Sequence, residues 1–258
     1  MEVSVGRARF LVTDDEQAAF WHRVVAGDWE PDSFRVLDRM LFPGCTYVDV
    51  GAWIGPLTLY AATIAGCCHA FEPDPVARAA LEANLRLNPR LAERVIVHPE
   101  AVAAHSGSPR LGNITSQTGG DSMSSLLFDA ADTGWQVASV TLGEVLTAVT
   151  GAPASQLGLV KIDIEGAEVE VLAAARELIE DHHPPLFLSV HPRFWEDTGP
   201  RQERLEVLAS LLSSYPEVLT AALQPMQLES MFDVDHRGGL FELLASSGGE
   251  GAPGGTWH

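Results

Sequence analysis

From Thr46 to Leu244 the chain alternates short apolar runs with stretches of helical periodicity. Thr46–Val50, Gly66–Phe71, Val95–Val97, Leu159–Ile164 and Leu186–His191 read as strands. Leu57–Ala65, Pro75–Asn88, Ala167–Ile179 and Arg201–Ser213 read as helices between them. Such alternation returns each strand to the same sheet through a covering helix. It restricts this part of the chain to an α/β fold with a doubly wound, mainly parallel sheet. Val218–Ala222 and Gly239–Leu244 are expected to close the sheet as an antiparallel pair.

Two segments fall outside the rhythm. Residues 1–43 read as a helical N-terminal cap: Asp14, Asp15 and Glu16 suit a first helical turn, and Phe20, Trp21, Val24 and Val25 repeat at helical spacing. A second helix is expected from Asp32 or Ser33 to Leu41. Residues 105–135, rich in Gly, Ser and Thr, read as an inserted loop or hairpin, and Val137–Leu142 as an extra strand. The segment from Ser106 to Ser125 is expected to act as a lid, mobile until a ligand orders it. These readings give one domain over 1–245, with the cap at 1–43, the core at 44–245 and a flexible glycine-rich tail at 246–258.

Charge narrows the function. Sixteen Lys and Arg stand against 35 Asp and Glu, a net charge of −19. A surface that negative repels phosphate backbones and anionic lipid, so neither a nucleic-acid nor a membrane partner is expected. Cys45, Cys67 and Cys68 have neither disulfide-framework nor zinc spacing, and the most apolar stretch, Pro56–Phe71, is too broken to span a bilayer. A cytoplasmic protein is the expectation.

The chemistry concentrates where strands hand over to helices. Val48-Asp49-Val50-Gly51-Ala52-Trp53-Ile54-Gly55 places glycines after the first core strand, where backbone can approach a ligand closely. The pattern is D-x-G-x-x-x-G, not the G-x-G-x-x-G that cradles a pyrophosphate, so the site suits a nucleoside without phosphates. Asp49 suits a cationic amino group. Glu72 ends the second strand, 21 residues after Gly51, where an acidic residue bonds ribose hydroxyls.

The fourth strand adds ionisable groups. Lys161, Asp163 and Glu165 alternate with Val160, Ile162 and Ile164, which puts them on one face by the period of two. Buried and unpaired they would cost several kcal/mol each, so they pair, bind a ligand or face a cavity. Lys161 is the only lysine in a chain that otherwise uses Arg, and a buried lysine can act as a base. His191 ends the fifth strand and is a candidate general base; His98 is a second candidate for the pocket.

Three segments in order, Tyr47–Gly55, Ala70–Pro75 and Leu159–Glu168, resemble the FkbM-type branch of the class I S-adenosylmethionine-dependent methyltransferases, over residues 28 to 192. The resemblance implies a seven-stranded sheet in the order 3-2-1-4-5-7-6 with the seventh strand antiparallel. It implies that Asp49, Gly51, Ala52 and Gly55 line the methionine part of the cofactor, with Asp163 nearby. Glu72 would hold the ribose, and Glu100 and Ala101 would sit beside the adenine. Two positions depart from the pattern: Trp53 fills a slot for a small polar residue, and Ser189 replaces an acidic residue before the histidine.

The function expected from this is methyl transfer from S-adenosylmethionine to a hydroxyl of a small molecule, a natural product or sugar. Lys161, Asp163, Glu165 and His191 would handle the acceptor proton. The alternatives are transfer to nitrogen or carboxylate on the same fold, or a non-catalytic module that senses the cofactor or binds a partner. Asp163, Glu165 and His191 could also hold Mg²⁺. Metal-free base catalysis by His191 is preferred, because Lys161 would neutralise the carboxylates and Ser189 removes a ligand.

Overall fold

A computed structural model describes residues 1–14, 16–150, 156–195, 201–232 and 240–248. The chain opens with β1 (Glu2–Val5), β2 (Ala8–Leu11), α1 (Ala18–Ala26) and α2 (Pro31–Met40). Alternation then runs through β3 (Cys45–Val50), α3 (Pro56–Ala62), β4 (Cys67–Phe71), α4 (Pro75–Arg86), α5 (Pro89–Ala92) and β5 (Val95–His98). Next come β6 (Ala101–Ala103), β7 (Arg110–Asn113), β8 (Ser124–Ser125), β9 (Thr133–Gln136) and β10 (Ser139–Thr141). The chain continues with α6 (Leu142–Thr150), β11 (Gln156–Ile162), α7 (Glu168–Ala174), α8 (Arg176–His182) and β12 (Leu186–Val190). It closes with α9 (Arg201–Leu212), β13 (Glu217–Thr220) and β14 (Phe241–Ser246).

The central sheet lies in the order β13-β14-β12-β11-β3-β4-β5. β14 runs antiparallel to both its neighbours, and the other adjacent strands are parallel. β3 and β12 are buried along their whole length, in keeping with their mostly apolar sequence, and the buried Thr46, Asp49 and Ser189 are the exceptions. One apolar cluster, with Trp21, Leu37, Tyr60 and Leu81, fills the face under the N-terminal elements, α3 and α4. The other, with Val160, Leu172 and Leu208, fills the face under α6, α7 and α9. Each fully buried Leu or Val contributes about 1.5–3 kcal/mol, so these two layers dominate the stability of the sheet.

The first eleven residues are a β-hairpin, not a helix. Val3 pairs with Phe10 and Val5 with Ala8, around a turn at Gly6 with φ 52°. Val3, Ala8 and Phe10 point inward while Glu2, Ser4 and Arg9 face water. That is the period of two, which the later helical spacing of Phe20 to Val25 masks. α1 starts at Ala18, after the acidic run, of which Asp15 lies outside the described residues. α2 starts at Pro31, where a missing N–H costs nothing.

Three further boundaries shift. The stretch read as one helix over Ala167–Ile179 divides at Ala175, whose φ of −104° leaves the helical range. β11 ends at Ile162, so Asp163 and Glu165 belong to the loop after the strand. At the C-terminus, Ser246 is still in β14 and its hydroxyl donates to Glu217 at 3.0 Å. Gly239 and the tail from residue 249 lie outside the described residues. No helix among the described residues is long and apolar enough to cross a membrane.

Candidate active site

A cavity of about 270 Å³ opens at the carboxyl ends of β3, β4, β11 and β12, where ligands bind in open α/β sheets. Its floor is the turn after β3. The N–H groups of Gly51 and Ala52 both donate to the Phe71 carbonyl, at 3.0 and 3.1 Å. Gly51 sits at φ 82°, and a Cβ there would lie 1.9 Å from the Asp163 carbonyl oxygen. Only glycine permits this approach of β3 to the loop after β11. Gly55, at φ 90°, turns the chain into α3 but does not line the cavity.

Glu72 is buried at the end of β4. Its two carboxylate oxygens accept from the Trp53 N–H at 2.6 Å and the Asp74 N–H at 2.9 Å. Burial pushes its pKa up to about 7, against the pull of those two hydrogen bonds. Ala101 lines the cavity with Val102, Leu111 and Phe71, whereas Glu100 does not. Glu100 stands in the bend before β6, which begins at Ala101. His98 is also outside: it stacks on Phe71 and shares a 3.0 Å hydrogen bond with His69.

Lys161 reaches three oxygens. Its ammonium donates to the Gly51 carbonyl at 2.8 Å and lies 3.3 Å from Asp49 Oδ1 and from Asp163 Oδ2. Burial alone would lower its pKa, but the charges of Asp163, Asp49 and Glu30 raise it above the usual lysine value. Lys161 thereby ties the glycine turn to β11 through the Gly51 carbonyl and the Asp49 and Asp163 carboxylates. Asp49, which also accepts from the Thr58 hydroxyl at 2.6 Å, is engaged in the same clamp.

Past β11 the chain bends through Glu165 at φ 55° and Gly166 at φ 104°. This bend, and not strand alternation, carries Glu165 to the cavity. His191 meets it from the end of β12. His191 Nε2 lies 3.6 Å from both Asp163 Oδ1 and Glu165 Oε2. On its other side Nδ1 is 3.0 Å from Glu168 Oε1, which also accepts the N–H groups of Ile164 and Gly166. Burial would lower the His191 pKa, but the Glu168 hydrogen bond and the charges of Glu168, Asp163 and Glu165 outweigh it and hold it at about 9. Glu168 takes up Nδ1 on one side of the ring, which leaves Nε2 directed at the Asp163 and Glu165 carboxylates. Burial pushes Glu165 up to about 7, with His191 pulling down and Asp163 pushing up.

Several residues make contacts at the site that the sequence did not assign to them. Glu168 lies in the quoted fourth-strand motif, but its contact with His191 spans 23 residues. Trp53 donates its indole N–H to the Gly120 carbonyl at 2.9 Å and meets Phe20 edge-on at 4.5 Å. It thereby joins the insertion and the N-terminal elements at the cavity. Glu30, at φ 40°, lines the wall beside Trp29, and burial with the charge of Asp163 raises it to about 8. The Ser189 hydroxyl donates to Glu242 Oε1 at 3.2 Å, so β14 supplies a carboxylate beside the position where one was missing.

The chain matches the family model "Methyltransferase FkbM domain" over residues 49–220. Among solved structures it is similar to methyltransferase FkbM from Methylobacillus flagellatus, with 17% identity and a TM-score of 0.50, covering 91% of this chain. This chain spans only 56% of that protein's length. An rRNA methylase from Streptococcus thermophilus follows at 13% identity and TM-score 0.46, covering 83% of this chain and 93% of that one. A methyltransferase from Streptococcus mutans in complex with SAH is similar at 9% identity and TM-score 0.44, covering 83% and 95%. No curated protein matches the chain. The family match covers well over half of the chain and includes the glycine turn, Glu72 and the Asp163–Glu168 loop; this chain belongs to the FkbM methyltransferase family.

Proposed function

We propose that the chain transfers the methyl group of S-adenosylmethionine to a hydroxyl of a small molecule. The observation that carries this is one cavity with two halves. One half has the glycine turn and Glu72; the other has Asp163, Glu165 and His191. The first half fits the cofactor: a glycine turn with its backbone at the cavity, a buried carboxylate for ribose hydroxyls, and apolar Ala101, Val102 and Leu111 for a base. The acidic lining suits a sulfonium and an ammonium, and it disfavours a pyrophosphate.

When bound, S-adenosylmethionine supplies an electrophilic methyl group. The protein's task is to hold an acceptor oxygen in line with it, exclude water and receive or neutralise the acceptor's proton. Asp163, Glu165 and His191 serve that second task. Phe20, Trp29 and Trp53 offer flat apolar faces next to Glu30, which suits a ring bearing hydroxyls. The net charge of −19 supports a small acceptor over a nucleic acid.

The test is transfer from trideuteromethyl-labelled S-adenosylmethionine to matched acceptors that carry a hydroxyl, an amine or a carboxylate on the same ring. Labelled ether product from the hydroxyl compounds is expected. Label found only on amine or carboxylate compounds contradicts the reading.

A further inference from the structure

We infer that Asp163 Oδ1, Glu165 Oε2 and His191 Nε2 form a binding site for one divalent cation of the Mg²⁺ or Mn²⁺ type. One ligand atom from each residue lies within 4.8 Å of the other two, and both carboxylate oxygens are 3.6 Å from the imidazole nitrogen. Neighbouring ligands of an octahedral ion at about 2.1 Å stand about 3.0 Å apart, so each carboxylate–imidazole pair needs a contraction of about half an ångström.

Three observations separate this cluster from a group of mutually satisfied charges. Glu165 lines the cavity and is 8% exposed, yet its Oε2 is buried and accepts no hydrogen bond. The nearest side-chain nitrogens to that atom, His191 Nε2 and the Arg193 guanidinium, stand at 3.6 and 3.7 Å. Next, Lys161 holds Asp163 through Oδ2 and leaves Oδ1 turned toward His191. Lys161 thus offsets the charge of Asp163 but leaves it one oxygen for the site, and it forms no ion pair with Glu165 among the described contacts. Last, His191 is oriented from behind: Nδ1 meets Glu168, itself fixed by two backbone N–H groups. A carboxylate behind a histidine fixes the ring and raises the basicity of its outer nitrogen, as in metal sites.

The site's existence does not depend on which acceptor is used. Its role rests on the hydroxyl reading: the cation holds the acceptor oxygen beside the cofactor half, and a coordinated hydroxyl loses its proton to solvent more readily than a free one. This reverses the preference for metal-free chemistry drawn from sequence.

The experiment is Mn²⁺ binding to the full chain, followed by electron paramagnetic resonance, with S-adenosylhomocysteine binding measured in parallel. One tight Mn²⁺ per chain is expected, with electron-spin-echo modulation from one imidazole nitrogen. Glu165→Gln and His191→Gln should each weaken it by about tenfold or more while S-adenosylhomocysteine affinity stays within about twofold. No tight Mn²⁺ in a chain that still binds S-adenosylhomocysteine overturns the site. So does Mn²⁺ that lacks the nitrogen signal, or binding that ignores both substitutions. If the variants do not fold, the echo signal of the unaltered chain decides. Failure of the hydroxyl reading would show only in the transfer assay and would leave Mn²⁺ binding intact.

Discussion

Single residues set the geometry of the cavity, and Gly51 is the least replaceable. A left-handed backbone costs a non-glycine residue about 1–2 kcal/mol, and the added Cβ would also collide with backbone at Asp163. Gly51→Ala should lower S-adenosylhomocysteine affinity by about tenfold or more, measured by calorimetry; an unchanged affinity would show that the turn does not touch the ligand. Glu168 is the second pivot. Glu168→Ala strips the His191 ring of its orienting partner and should reduce turnover by about 10–100-fold with cofactor affinity preserved. Glu168→Gln keeps an oxygen for the two backbone donors and should restore most of that loss; equal defects in both variants would mean that orientation is not its role. The place of Asp49, Gly51 and Glu72 at the cavity was legible in sequence because each stands at the end of a strand or in the turn after it. The contact of Glu168 was not, because its partner is remote. Of the pair Glu100 and Ala101, Ala101 is the one that lines the cavity.

At the scale of elements, the insertion is tied down. The Asp74 carboxylate caps α4 and also accepts from the Gly120 N–H at 2.9 Å and the Ser124 hydroxyl at 3.0 Å. Trp53 adds its bond to Gly120, and the Ser125 hydroxyl donates to the Ile164 carbonyl at 3.2 Å. A lid held at four points opens less readily than its Gly and Ser content implies. Trp53→Phe keeps the aromatic contact and removes one hydrogen bond worth about 1 kcal/mol, so amide exchange around Gly119–Met123 should quicken by about fivefold. No change in exchange would mean that the indole bond does not restrain the segment. The alternation of strand and helix was legible because the hydrophobic period changes from two to 3.6 at each boundary. The N-terminal hairpin carried its own period of two, but it is short and adjoins a strong helical pattern. The clamp was not legible, because Trp53 and Asp74 act across 67 and 46 residues.

At the scale of the whole molecule, several carboxylates are buried around one cavity, and stability should follow pH accordingly. Burial, first of all, raises Glu72 to about 7 and Glu30 to about 8, whereas unfolded glutamates titrate near about 4.3. Between those values the folded chain retains protons that the unfolded chain has released, so stability falls as pH rises through the window and levels off above it. At about 1.4 kcal/mol per pKa unit the two groups amount to several kcal/mol. The melting temperature in EDTA should drop from pH 5 to pH 8, and Glu30→Gln should remove the upper part of that slope. A melting temperature that climbs over the same range would contradict the burial assigned to these carboxylates.

The central claim is that the cavity at the carboxyl ends of β3, β4, β11 and β12 receives S-adenosylmethionine. Titration calorimetry of the full chain with S-adenosylhomocysteine, run beside NAD at the same concentrations, tests it most directly. The account predicts saturable binding of one S-adenosylhomocysteine per chain and none of NAD, because the turn lacks the third glycine and the basic groups that a pyrophosphate requires. Binding of NAD, or no heat with S-adenosylhomocysteine, would contradict it.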